Sequence, residues 1–369
     1  MKTIHSLTIA TVLLLSFLLT PTQTLAQSFM GTITSFKGDV KILSRGDRSG
    51  SKVLLYEGQT LSYKNARIGQ KVKPHQIILT GPNGQAKVVY PNGDHLSIGP
   101  GSSLALPSKS GSDAKDGSQL KLYYGKMRAL ISKKGPRNNL MIKTKSAVAG
   151  VRGTDFYFSQ SGATGTKLTV LRGAVALAKT KRQDLNLTDS EAASTLQKNK
   201  AITVEKGFTA ALIDPNEIPP TTEIAPQPAV DLSKGMPDMS EMADKKEKNP
   251  SKTSDFVLQA VTKEVLMDVE KVSTIPSEMM VATANVQLQN EIKELQEKSK
   301  EAVLNDIKDD DPKLYKTLKE NKDVSSADVN SAVVAKMFKE APREKVQQKI
   351  SEDELNNMES VYDKYFKND

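Results

Sequence analysis

The sequence contains no cysteine and no tryptophan, and its only histidines are His5, His75 and His95. The absence of cysteine excludes disulfide bonds, thiolate metal sites and cysteine nucleophiles. Three separated histidines give little basis for a multi-histidine metal centre or for histidine-based catalysis. We therefore predict that the protein is not an enzyme, and we assign it no catalytic residue, no metal site and no cofactor.

Long apolar runs are also scarce. The longest, Leu7 to Leu19, is shorter than the roughly 20 residues that a bilayer-spanning helix needs. It is followed by Pro21 and by a small-residue pattern that ends at Ala26. These features predict a secretory signal peptide over residues 1–26, with an uncleaved membrane anchor as the alternative. We expect an exported protein, periplasmic or extracellular, without a transmembrane segment once the leader is removed.

Charge is unevenly distributed along the chain. Residues 27–213 carry 29 basic and 11 acidic side chains, a net charge of +18, whereas residues 214–369 carry 22 basic and 32 acidic side chains, a net charge of −10. Such a division points to a charged partner. Two other interpretations stay open: the acidic half docks on the basic half of the same chain, or both halves are simply solvated.

A proline-rich segment separates the two halves. Seven of the chain's 17 prolines fall between Asp214 and Lys252. Proline fixes φ and lacks a backbone donor, so this segment cannot continue a helix or a central strand. The composition predicts an extended linker over residues 214–252, partly in the polyproline II conformation.

The basic half has the pattern of an all-β domain, residues 27–213. Apolar residues alternate with polar ones in about a dozen short runs, as in Leu120 and Leu122 before Gly125 and Met127 and Ala129 after it. This alternation places one apolar row toward a core and one polar row toward solvent. Turn sequences such as Asn-Gly separate the runs. The pattern favours an antiparallel sandwich, a barrel or a solenoid-like β domain.

An ordered series of motifs accompanies these strands. It comprises Phe36-Lys37-Gly38-Asp39-Val40, Ile77-Ile78-Leu79-Thr80-Gly81, Pro91-Asn92-Gly93-Asp94-His95-Leu96, Leu122-Tyr123-Tyr124-Gly125-Lys126-Met127, Val151-Arg152-Gly153-Thr154-Asp155-Phe156 and Val170-Leu171-Arg172-Gly173-Ala174-Val175. Over roughly residues 31–213 the series resembles the FecR domain, the periplasmic sensor module of iron-dicitrate-type regulators. The resemblance implies an all-β extracytoplasmic fold without catalysis.

The sequence departs from that family in two respects. The regulators carry a cytoplasmic anti-sigma segment before a membrane helix, whereas here the module starts shortly after the predicted leader, so we expect no sigma regulation by the known route. An insertion around Leu54 to Gly69, which contains Tyr56 and Tyr63, lengthens the early part of the module.

Within the motif Val151 to Phe156, we expect Gly153 to form a tight turn or bulge and Phe156 to return to the row of core residues. Arg152 has two interpretations: an anion-binding guanidinium, or a partly buried group that bonds loop carbonyls or pairs with Asp155.

A basic cluster surrounds this motif, because Asp155 is the only acidic residue between Lys121 and Arg172. The candidate anion- or partner-binding residues in and next to it are Arg128, Lys133, Lys134, Arg137, Lys143, Lys145 and Arg152. Positive potential of this kind favours phosphate- or carboxylate-rich polymers, such as envelope polysaccharide, or an acidic peptide. A solvated basic face is the alternative. Nucleic acid is not expected, since aromatic stacking residues are sparse.

The acidic region, residues 253–369, has helical periodicity. Valines from Val257 to Val272 predict a first helix, and a second run from Ser277 extends to Ile307, with Asp309 to Asp311 as a helix-end turn. Shorter helices are predicted over Ser325 to Lys339 and Ser351 to Phe366. These faces suit a small bundle, docking into a groove or self-association, and disorder is the alternative for part of the region.

Three functions follow from these features. The first is an exported, non-enzymatic binding or scaffold protein whose FecR-like domain engages an envelope polymer or a protein partner. The second is a periplasmic signalling protein that contacts an outer-membrane receptor, as the resemblance implies. The third, a polysaccharide hydrolase, needs two facing carboxylates in a cleft, and the strand-rich half offers only 11 scattered acids. The sequence does not indicate an oligomeric state.

Overall fold

A computed structural model describes ten segments of the chain. They are residues 31–45, 52–106, 119–133, 140–161, 165–180, 189–198, 201–212, 256–275, 286–321 and 324–341. The predicted signal peptide, the proline-rich linker and the predicted helix from Ser351 to Phe366 lie outside these residues.

The first half of the described chain is built from strands. The first nine are β1 (Gly31–Lys37), β2 (Val40–Ser44), β3 (Lys52–Tyr56), β4 (Gln59–Asn65), β5 (Lys71–Val72), β6 (Ile77–Thr80), β7 (Gln85–Val89), β8 (His95–Ile98) and β9 (Ser103–Ala105). The next nine are β10 (Gln119–Leu130), β11 (Leu140–Lys143), β12 (Ala147–Val151), β13 (Asp155–Ser161), β14 (Gly165–Arg172), β15 (Ala174–Lys179), β16 (Ile202–Glu205), β17 (Phe208–Leu212) and β18 (Phe256–Ala260).

These strands form two sheets that share one strand. Sheet 1 has the spatial order β5-β1-β7-β8-β10-β13-β14-β17-β18. Sheet 2 has the order β3-β4-β2-β6-β9-β10-β11-β12-β15-β16. The pairings are antiparallel except that of β10 with β11, which is parallel. The predicted mainly antiparallel β domain is therefore confirmed as mostly β, and its strands form a two-layer sandwich.

The shared strand explains how one chain segment serves both layers. The first half of β10 pairs with β9 in sheet 2, and the second half, from Gly125 onward, pairs with β13 in sheet 1. Gly125 has φ +95°, and a Cβ there would lie 2.4 Å from the Cα of Ser102. Only glycine combines this backbone conformation with so close an approach, so it sets the point where the strand crosses between sheets.

The core lies between the two sheets. Sheet 1 contributes Leu96 and Phe156, and sheet 2 contributes Ile42, Ile142 and Leu177, all at most 2 % exposed. At roughly 1.5–3 kcal/mol per fully buried large apolar side chain, this layer supplies the main driving force for folding of the sandwich.

A short helix, α1 (Asp189–Lys198), interrupts the strand-rich half between β15 and β16. It packs on the outer face of sheet 2, where Ala192 joins Met141 and Val148. The prediction that residues 27–213 contain strands alone is therefore wrong at this point.

Within the described residues, four helices follow the last strand: α2 (Lys263–Ser273), α3 (Val286–Asp310), α4 (Pro312–Glu320) and α5 (Ser326–Glu340). The helix predicted from Val257 begins only at Lys263, because Phe256–Ala260 pairs with β17 as the edge strand of sheet 1. The regular elements described in the acidic region are therefore helices, with this strand as the exception. Leu212 and Phe256 are direct register partners, although 43 residues separate them in the chain.

Capping interactions fix where α4 and α5 begin. The Asp311 side chain accepts a hydrogen bond from the Leu314 N–H at 3.1 Å, with Pro312 in the first helical turn. Asp309 and Asp310 are the last residues of α3, so the predicted helix-end turn is confined to Asp311, which caps α4, a helix that the sequence did not indicate. Ser325 and Asp328 form a reciprocal capping box at the start of α5, as the prediction of a helix from Ser325 requires.

The helices cover the outer face of sheet 1. Val269 and Phe338 pack on Tyr157 and Leu171, and Ile307 and Leu318 join Leu130 in a second cluster. The polar row that alternation assigned to solvent on this sheet is consequently buried. No helix within the described residues is long and apolar enough to cross a membrane.

Candidate functional site: the charged interface between sheet 1 and the helices

The buried polar row of sheet 1 contains several charged or titratable side chains. Lys87 on β7, His95 on β8, Arg128 on β10 and Asp155 on β13 are all at most 7 % exposed. Each alternates with core residues along its strand, so each points away from the inter-sheet core toward the helices. A buried charge needs a partner, and the helices and neighbouring strands provide several.

Arg128 lies at the centre of this interface. Its Nε donates to Asp155 Oδ1 at 2.9 Å, and its Nη2 donates to Asp155 Oδ2 at 2.7 Å. Its Nη1 donates to the Ser273 Oγ on α2 at 2.8 Å, and this hydroxyl donates in turn to the Val269 carbonyl. Burial alone lowers the pKa of Arg128, but Asp155 raises it above its ordinary value, so the guanidinium stays charged.

His95 connects sheet 1 to α3 and α5. Its Nδ1 lies 2.7 Å from the Ser299 Oγ, and its Nε2 lies 3.3 Å from the Asn330 Nδ2. Both ring nitrogens are therefore within hydrogen-bonding distance of helix side chains. Burial, Lys87 and Arg128 together hold the pKa of His95 well below its ordinary value. The imidazole is neutral in the folded protein.

Lys87 adds a further positive charge to the same layer. Burial, together with the positive charge of Arg128, lowers the pKa of Lys87 to about 8. The layer therefore brings two cations close to a neutral histidine, and the Asp155 carboxylate pairs with Arg128.

Ion pairs surround the buried layer and join basic strands to acidic helices. Lys126 pairs with Asp268 at 2.7 Å, Lys133 with Asp310 at 2.6 Å, Arg172 with Asp306 at 3.0 Å and Lys71 with Glu291 at 3.4 Å. The Arg172–Asp306 pair is buried, at 6 % and 8 % exposure, whereas the other three are partly solvated. Of the interpretations left open by the charge division, the structure shows docking of the acidic half on the basic half.

The candidate binding residues do not form one open patch. Arg128 and Lys143 are buried, and Lys133 is bonded to Asp310. Lys145 and Arg152 are exposed. Lys134 and Arg137 lie outside the described residues. The cluster that looked continuous in sequence is therefore divided between the interface with the helices and the open surface.

The Val151 to Phe156 motif serves mainly to build the fold. Phe156 is a core residue, and Gly153, with φ +62°, turns the chain from sheet 2 into sheet 1, as predicted. The Asp155 carboxylate pairs with Arg128, whereas Arg152 is exposed, so the interpretation that Arg152 is partly buried and pairs with Asp155 is wrong. The partner that sequence reading missed, Arg128, lies 27 residues upstream on the neighbouring strand.

Comparison with known proteins identifies the strand-rich part. Residues 76–176 match the family model described as FecR protein. This match extends from β6 to β15 and confirms the resemblance to the FecR domain over those residues. It covers the shared strand β10, Arg128 and the motif at Val151 to Phe156.

Two crystal structures of a protein from Parabacteroides distasonis, provisionally described as an anti-sigma factor, are similar over part of the chain. Both have 13 % sequence identity and a TM-score of 0.29 and cover 38 % of this chain. The similarity extends over 56 % and 55 % of the two crystallised chains, little more than half of each. No curated protein matches the sequence.

Proposed function

We propose that this protein is an exported, non-enzymatic binding protein whose FecR domain engages a component of the cell envelope. One observation supports this function best: the acidic helices pair with basic side chains at Lys126, Lys133 and Arg172, while other basic side chains of the strand-rich half stay exposed. Lys145 and Arg152 are among them. Positive surface of this kind attracts anionic polymers and acidic proteins.

This function modifies the hypothesis drawn from sequence in one respect. That hypothesis gave the basic domain an envelope ligand and the helices a separate protein partner. In the structure, the apolar faces of α2 and α5 pack on sheet 1, with Val272 and Val334 both at most 1 % exposed. The helices therefore stabilise the FecR domain, and ligand binding is proposed for the domain surface that they leave open.

Retention on isolated cell envelopes tests this function. The full chain from residue 27 is incubated with envelopes at about 0.1 M and about 1 M NaCl, where the Debye length falls from ~10 Å to ~3 Å. We expect retention at the lower concentration and at least about tenfold less at the higher one. An unrelated basic protein of similar net charge serves as the control. Retention that salt does not change, or that the control reproduces, contradicts the proposal.

The second candidate is a signalling role, which the FecR match favours. In that role the domain contacts the periplasmic part of an outer-membrane receptor. Photo-crosslinking from position 152 in living cells distinguishes the two: a single crosslinked membrane protein supports signalling, whereas crosslinks to glycan or lipid support the envelope ligand. Turnover of a cell-wall polymer by the purified chain contradicts both.

A further inference from the structure

A cleft in the strand-rich half lies outside both the interface with the helices and the residues that match the FecR model, and it has no assigned role. It has a volume of about 730 Å³ and lies beside the hairpin formed by β3 and β4. Most of its wall comes from the segment that the sequence marked as an insertion around Leu54 to Gly69. The polar and aromatic residues in its lining are Lys52, Tyr63, Lys64, Asn65, Arg67 and Gln70.

The charge of the cleft is entirely positive. Lys52, Lys64 and Arg67 line it, and no carboxylate does so among the described residues. Lys52 and Arg67 are exposed, so a ligand reaches both without rearrangement of the core. Three cations around one concave surface raise the local concentration of anions.

The backbone that carries these groups is already fixed. Within the loop after β4, the Arg67 N–H donates to the Gln70 Oε1 at 3.1 Å, and the Gln70 N–H donates to the Arg67 carbonyl at 3.1 Å. The Gly69 N–H donates to the Ile33 carbonyl on β1 at 2.8 Å. A loop held in this way loses little conformational entropy when a ligand binds, which favours affinity.

Helix α3 supports the same loop from the other side. Leu288 approaches so closely that a Cβ on Gly69 would lie 2.3 Å from its Cδ1. Lys71 pairs with Glu291 one turn further along the helix. The docked helices therefore help to hold the cleft in shape, although they leave it open.

The remaining lining indicates what kind of anion fits. A volume of about 730 Å³ is that of a small-molecule site and far exceeds a single phosphate ion. Asn65 offers an amide donor and acceptor, and Gln70 keeps its NH₂ donor while its Oε1 is engaged by Arg67. Tyr63 adds an aromatic wall directly opposite Lys52. Amides suit hydroxyl groups, and the ring suits the apolar face of a sugar.

We infer that this cleft binds a short stretch of an anionic saccharide, a sugar chain that bears carboxylate or phosphate groups. In this arrangement Lys52 and Arg67 bind the acidic groups, Asn65 and Gln70 bind hydroxyls, and Tyr63 contacts a sugar ring. The inference rests on the proposed function and specifies the ligand class and, on strands that precede the matched residues 76–176, the site through which the strand-rich half engages the envelope.

Isothermal titration calorimetry on the full chain from residue 27 tests this site. The probes are trigalacturonate, which combines sugar rings with carboxylates, maltotriose, which is neutral, and inorganic phosphate, which has charge without a sugar. We expect binding of trigalacturonate and none of maltotriose. Equal or tighter binding of phosphate alone contradicts a saccharide site.

Paired variants locate the binding. Lys52→Gln with Arg67→Gln is expected to weaken trigalacturonate at least about tenfold, because two charged donors are lost. The matched control, Lys316→Gln with Lys319→Gln on α4, removes two exposed cations elsewhere and is expected to leave affinity unchanged. Both substituted pairs are exposed in the structure, and unchanged urea midpoints verify that each variant folds.

The outcomes separate this inference from the proposed function. If only the control pair weakens binding, the cleft is not the site, while the anionic-ligand function stands. Salt-sensitive envelope retention without trigalacturonate binding likewise contradicts the cleft alone. Absence of both contradicts the cleft and the proposed function together.

Discussion

Arg128 and Asp155 form a bidentate ion pair in which both side chains are at most 1 % exposed. The two residues lie on neighbouring strands of sheet 1 and are covered by α2. A pair of this kind contributes little net stability compared with apolar replacements, because both charges lose their hydration. Its importance is that neither charge can be removed alone.

Replacement of Arg128 by Met is therefore expected to destabilise the fold by about 3–5 kcal/mol, since it leaves the Asp155 carboxylate buried without its partner. The double replacement Arg128→Met with Asp155→Leu is expected to recover most of this loss. Urea unfolding measures both. Lys298→Ala, which breaks an exposed pair with Glu294, is the control and costs less than about 1 kcal/mol. If Arg128→Met lowers the free energy of unfolding no more than Lys298→Ala does, Arg128 and Asp155 do not form a buried pair of this importance.

Stability is expected to fall in mild acid because of His95. Its pKa is depressed in the folded protein, so the folded state keeps the ring neutral while the unfolded chain takes up a proton below its ordinary pKa of about 6.5. As pH falls through that value, the free energy of unfolding decreases by up to about 1.4 kcal/mol per pH unit from this group. Above about pH 7 the contribution is constant.

The measurement is urea unfolding between about pH 7.5 and pH 5, on the wild type and on His95→Gln, which cannot titrate in this range. We expect a shallower decline for the variant. Equal slopes for the two proteins would show that His95 is not the group responsible.

Two glycines with positive φ provide a matched test of close packing. Gly153 has φ +62°, and a Cβ there would lie 2.5 Å from the Cα of Lys133. Gly207 has φ +84° and open space around the same position. Replacement by alanine is expected to lower the free energy of unfolding by about 1 kcal/mol at either site, because the backbone has a positive φ. We expect Gly153→Ala to lower it by about a further 1–3 kcal/mol because of overpacking. Equal thermal shifts for the two variants would falsify this.

The ion pairs at the interface predict how the helices detach. Asp306→Asn with Asp310→Asn removes the acidic partners of Arg172 and Lys133. We expect amide hydrogen exchange in α3 to α5 to accelerate about tenfold, while β13 and β14 keep their protection. Glu294→Gln with Glu320→Gln on exposed helix positions is the control. Uniform acceleration of strands and helices would mean that the two parts open as one unit.

Much of the sandwich was predictable from local pattern. The Asn92-Gly93 turn joins β7 to β8, and Gly125 marks the crossing within β10, because each depends on nearby backbone geometry. The strand Phe256–Ala260 was not predictable, since it owes its conformation to pairing with β17 across 43 intervening residues. Val257 in this strand continues the spacing of the valines in the helix that follows, and this spacing favoured a helical interpretation.

The site was harder to predict than the fold. Arg128 alternates with Met127 and Ala129, so local pattern assigns it to the polar, exposed row. Its burial depends on helices more than 130 residues away in sequence, where Ser273 contacts it. The one available signal was global, namely the opposite net charges of the two halves, and it indicated docking without indicating which cations would be covered.

The direct pairing of Leu212 with Phe256 has a consequence for how the chain tolerates change. A short turn would be enough to join two neighbouring antiparallel strands, yet 43 residues connect Leu212 to Phe256. Loop-closure entropy rises slowly with length, by about 0.6 kcal/mol for each doubling. A fluorescent domain or an affinity tag inserted between these two strands should therefore leave the melting temperature nearly unchanged, which makes this connection the natural place to label the protein.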